Sequence, residues 1–79
     1  MDAVGYAPPV KRSVLIAGHP TSISLEPIFW RALEIAAKDL ARPVNALVAE
    51  IDAARIEVLS PPNLTSAIRQ WLFARALVG

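Results

Sequence analysis

Apolar and polar positions alternate along residues 21–25 of this chain, with Ser22 and Ser24 on one side and Ile23 and Leu25 on the other. A period of two predicts a short strand with one apolar face and one small, hydroxyl-bearing face. The preceding residues 11–17 (KRSVLIA) are strand formers whose alternation is ambiguous. Gly18-His19-Pro20 then reads as a turn or bend. Residues 1–10 (MDAVGYAPPV) hold Gly5, Pro8 and Pro9 without periodicity, which predicts a flexible arm ahead of a single domain over residues 11–79.

Beyond Glu26 the period becomes helical. Pro27 stands at the first turn, where its missing N–H costs nothing. Phe29, Leu33, Ala36, Ala37 and Leu40 recur at helical spacing, while Arg31, Glu34, Lys38 and Asp39 fall mostly elsewhere. Arg42-Pro43 ends this helix, because the residue before a proline is biased out of the α region. A second helix carries Val44, Leu47, Val48 and Ile51 on one stripe and Asn45, Glu50, Asp52 and Arg55 on its polar side. After the break at Ser60-Pro61-Pro62, Asn63 is the expected N-cap of a third helix over about residues 63–77. Leu64, Ile68, Trp71, Leu72 and Arg75 lie along one of its faces.

Composition narrows the class. Of 79 residues, 54% are hydrophobic and 19% charged, which excludes an intrinsically disordered chain. A chain this short buries only about 60% of the surface it exposes when unfolded, so one copy makes a marginal core. There are no cysteines and His19 is the only histidine, so neither disulfides nor a thiolate or imidazole metal site is expected. No cofactor is implied. Association between copies is the remaining remedy.

The net charge is only +1, but the charges of residues 1–25 are Asp2, Lys11 and Arg12, so this third is mildly basic. Asp2 stands where a signal peptide would carry positive charge, and no apolar run approaches a membrane span. A cytoplasmic protein is expected. No catalytic residue is expected either. His19, the sole candidate base of a triad, lies between Gly18 and Pro20. Glu50 and Asp52 are two apart and point to different helix faces, and Gly5, Gly18 and Gly79 are isolated.

Four segments in one order, KRSVLIAGH, TSISLEPIFWRAL, NALVAEIDAAR and NLTSAIR, resemble the ribbon-helix-helix DNA-binding family, in particular its small stand-alone bacterial branch. The resemblance covers roughly residues 11–75. It implies a mostly α fold with a short β ribbon, an intertwined homodimer with an additional C-terminal helix. One strand from each copy would pair antiparallel and enter the major groove of double-stranded DNA. Ile23, Leu25, Phe29, Leu33, Leu47 and Ile51 would then line a core shared by both copies. Lys11, Arg12, Ser22 and Ser24 become candidate DNA contacts on or beside the ribbon, and Arg42 and Asn45 candidate phosphate contacts at the start of the second helix. Two residues depart from the family pattern. Pro20 stands where a basic residue is common and removes a donor to a guanine edge. Pro43 stands where a capping serine is common.

The leading expectation is thus a dimeric DNA-binding protein, a transcriptional repressor or regulator. The alternative from another class keeps the dimer as a protein-interaction module, antitoxin-like capture included, with the C-terminal helix as the docking surface. Residues 64–77 carry only Arg69 and Arg75 as basic residues, so a membrane-surface role is not expected.

Overall fold

The computed structural model describes residues 5–79 and runs β1 (Val10–Ile16), β2 (His19–Leu25), α1 (Pro27–Asp39), α2 (Val44–Arg55) and α3 (Leu64–Val78). Of the expected arm, residues 1–4 lie outside the described residues. Residues 5–9 are exposed and take up no strand or helix, whereas Val10 already belongs to β1.

The two strands pair antiparallel within one chain, from Val10 opposite Leu25 to Ile16 opposite His19. The turn is therefore Ala17-Gly18, not the expected Gly18-His19-Pro20, and His19 and Pro20 belong to β2. Both turn residues have positive φ, 51° and 81°, the type I′ geometry whose twist matches that of the flanking strands. Gly18 adopts it without strain; Ala17 does so against its Cβ. Leu15 donates its backbone N–H away from β2, to Asn45, so Leu15 and Pro20 form a non-hydrogen-bonded pair. By the same parity the backbone groups of Ser22 and Ser24 point to the far edge of β2. Proline is tolerated in this strand because position 20 donates nothing to the ladder.

The helices form where the apolar spacing predicts them, but the stripe of α1 is rotated. Trp30, Leu33, Ala36 and Ala37 are buried, Phe29 is half-buried and Leu40 is exposed. Trp30 enters the core because its indole N–H donates to the Val10 carbonyl at 2.8 Å, which satisfies its one polar atom. The first helix ends in a Schellman motif. Arg42 N–H reaches the Ala37 carbonyl and Ala41 N–H the Lys38 carbonyl, with Ala41 at φ 55°. Asn63 caps α3, accepting from Ser66 N–H at 2.8 Å as its position predicts.

One copy encloses its own core of Val14, Ile23, Leu25, Trp30, Leu33, Ala36, Ala37, Leu47, Val48, Ile51, Ile68 and Leu72. The six residues expected to line the dimer core all belong to this core or its margin. Ile23, Leu25, Leu33, Leu47 and Ile51 are buried inside a single chain, and Phe29 packs half-buried at its margin. The physical reason is β1, which supplies the second strand and lets one copy close a layer over the helices. Among the described residues, no helix is long and apolar enough to cross a membrane.

Candidate nucleic-acid interface

The strands of the hairpin sort their side chains between two faces. Toward the helices point Val10, Arg12 and Val14 from β1 and Thr21, Ile23 and Leu25 from β2. Outward point Lys11, Ser13 and Leu15, opposite Ser24, Ser22 and Pro20 in that order. The outer face therefore holds three hydroxyls, one ammonium and an apolar step at the tip.

Ser22 and Ser24 take the outward positions that alternation predicts, Lys11 of β1 shares their face, and Lys11 and Ser22 are exposed there. Arg12 does not join them. It lies on the helix-facing side, its guanidinium 4.6 Å from the Trp30 ring centroid and 2.9 Å from a Glu34 carboxylate oxygen. A cation–π contact and an exposed ion pair engage that cation, with the side chain still half exposed. Sequence reading missed Ser13, which faces outward opposite Ser22; the ambiguous alternation of β1 concealed its face. His19, beside the turn, is exposed.

At the start of α2, Pro43 is the N-cap and supplies no side-chain cap. Asn45, in the first turn, uses its side-chain oxygen to accept the Leu15 N–H, so the oxygen faces β1. Arg42, just ahead of α2, forms an exposed ion pair with Glu50, farther along that helix. The first-turn N–H groups of α2 lie beside β1, on a positive helix end.

The remaining charges are mostly spent within the fold. Arg69 of α3 donates two hydrogen bonds to Glu26 at 3.2 and 2.8 Å and lies 5.5 Å from the Phe29 ring centroid. These bonds, helped by Glu26's own backbone, hold its carboxyl below the ordinary carboxylate value. Arg55 pairs with Asp52, and Arg75 with Asp39. Lys11, Arg31 and Lys38 enter no ion pair among the described residues. Lys11 is thus the one cation on the outer ribbon face.

No group of three or more potential metal ligands occurs among the described residues. A shallow apolar groove runs between α1 and α3, with Ala32, Ile35, Trp71 and Leu72 in its wall and the Arg75–Asp39 pair at its rim.

A search of curated proteins and a search of solved structures each returned no match. The family model described as "Ribbon-helix-helix domain" matches residues 9–76, nearly the whole described chain. A two-stranded antiparallel ribbon followed by helices is consistent with that match, and the chain belongs to the ribbon-helix-helix domain family.

Proposed function

We propose that this chain is a transcriptional repressor or regulator that binds operator DNA as a homodimer in the cytoplasm. Family membership supports a DNA-binding, regulator-type role in general, and ribbon-helix-helix domains are regulatory modules rather than enzymes. The family typically dimerises and binds DNA. The observation that carries the reading is the polar outer face of the hairpin, where Lys11, Ser13, Ser22 and Ser24 stand together beside an open strand edge.

Among the described residues β2 has β1 as its only strand neighbour. The backbone donors and acceptors of Ser22 and Ser24 at that edge are suited to a second copy's β2, antiparallel, about a two-fold axis. Such pairing would put the two β2 strands, with Ser22 and Ser24 of each copy facing outward, at the centre of a four-stranded sheet as the two-stranded ribbon that a major groove admits. Serine hydroxyls meet either donors or acceptors on base edges, and Lys11 meets phosphate. The α2 N-terminus, with Asn45 and Arg42 beside it, supplies a second phosphate anchor.

The test is a fluorescence anisotropy titration against random duplex DNA at low and near-physiological salt, with mass by light scattering. A dimer whose affinity falls steeply with salt is the expected result, because phosphate contacts release counterions. A protein that ignores DNA at low salt overturns the proposal.

The groove between α1 and α3 favours a second reading, a dimer that captures a protein partner through α3. Ile35 of α1 and Val78 of α3 are exposed apolar residues in its wall. Under that reading, substitutions at the groove residues Ile35 and Val78 matter and those at Lys11 and Ser24 are silent.

A further inference from the structure

We infer that the tip of the ribbon reads the 5-methyl group of thymine, through Leu15 and Pro20. The inference rests on the DNA-binding reading above and specifies what that ribbon prefers.

Leu15 and Pro20 sit directly opposite each other on the outward face, as a non-hydrogen-bonded pair, the kind in which side chains approach most closely. They are the only apolar residues on a face otherwise made of Lys11, Ser13, Ser22 and Ser24. Leu15 contributes nothing to the core; it is 51% exposed, and Pro20 is exposed as well. The pair is also held in place. The Leu15 N–H is bonded to Asn45 at 3.0 Å, the two-residue turn follows at once, and the proline ring fixes its own φ.

Only one base edge offers such a pair an apolar partner in the major groove, the C5-methyl of thymine. The guanine edge presents two acceptors and cytosine an amino donor. Covering either with Leu15 and Pro20 would take polar groups from water without replacing their hydrogen bonds. At this position a basic side chain would select guanine; proline backed by leucine reverses that preference toward A·T pairs. The neighbouring hydroxyls of Ser13 and Ser22 accept or donate and leave the choice to the tip.

The experiment compares binding to an alternating dA–dT duplex with binding to the same duplex made with deoxyuridine, which keeps base pairing and loses only the methyl. Each covered methyl should contribute about fourfold in affinity, so the two tips of a dimer together about fifteenfold. Leu15→Ser should bring the two duplexes close to equal affinity, and its circular dichroism spectrum should match that of the parent because Leu15 is outside the core. Equal affinity of the parent protein for both duplexes, with salt-sensitive binding intact, overturns this inference and leaves the DNA-binding reading standing. Full discrimination retained in Leu15→Ser overturns the assignment to the tip. Absence of binding to either duplex at low salt overturns both readings.

Discussion

Asn45, in the first turn of α2, accepts the backbone N–H of Leu15 on its side-chain oxygen at 3.0 Å. This bond ties the outer edge of β1 to the positive end of α2. In the proposed DNA-binding mode, with the ribbon against bases and a helix end against phosphate, the bond would fix the distance between the two. Asn45→Ala removes the acceptor and should cost about 1 kcal/mol of stability. The Leu15 amide should then exchange faster with solvent while the amides of α3 keep their relative protection. Hydrogen exchange by NMR checks both, and an unchanged Leu15 rate would refute the link.

Neighbouring basic residues should behave oppositely. Arg12→Ala removes a cation–π contact with Trp30 and an ion pair with Glu34, so it should destabilise by about 1 kcal/mol. Lys11→Ala leaves the fold alone but should reduce the salt dependence of DNA binding by about one unit of slope per chain. Urea unfolding and salt-dependent titration, run on both variants, separate the roles. A larger loss of salt dependence in Arg12→Ala than in Lys11→Ala would reverse the assignment.

Ala41 occupies the left-handed position of the α1 Schellman motif at φ 55°, where glycine is the favoured residue. Relief of the Cβ clash exceeds the entropy glycine adds to the unfolded chain, so Ala41→Gly should stabilise by about 0.5–1 kcal/mol. For a domain of this size that corresponds to a rise in Tm of about 2–8 °C. Thermal melting followed by circular dichroism measures it; a lowered Tm would refute the motif's strain.

Acid should weaken the junction between α1 and α3. The two hydrogen bonds from Arg69 lower the folded pKa of Glu26 below its ordinary 4.5, and the unfolded chain has no such partner. The pair's contribution is therefore fully present above the unfolded value and is lost as pH falls through the folded one. Denaturant midpoints from neutral pH down to about pH 3 should fall more steeply for the parent than for Glu26→Gln. Parallel curves would show that the pair does not couple to folding.

Helices α1, α2 and α3 were legible because their signals are local. Pro27, Pro43 and Asn63 mark starts, and apolar spacing over one or two turns marks the buried stripe. The phase of α1 was less legible. Phe29 and Trp30 are adjacent and both apolar, and the choice between them rests on the Val10 carbonyl, a group 20 positions away that bonds the indole. The candidate interface was half legible. Alternation of small polar residues placed Ser22 and Ser24, while β1 hid its faces because a charged residue, Arg12, points inward and an apolar one, Leu15, points outward.

By itself the sequence determined the order of elements, the helix limits to within a residue or two, the outward serines of β2 and the family, since each depends on short-range periodicity, capping or segment order. Tertiary structure alone decided which strand pairs with β2, which of Lys11 and Arg12 faces outward, and where the core closes. Those outcomes depend on contacts between residues distant in the chain. Arg12 turns inward because its guanidinium finds the Trp30 ring and the Glu34 carboxylate, partners on a helix that folds beneath it. Leu15 turns outward because its strand neighbours Val14 and Ile16 already occupy the side toward the core.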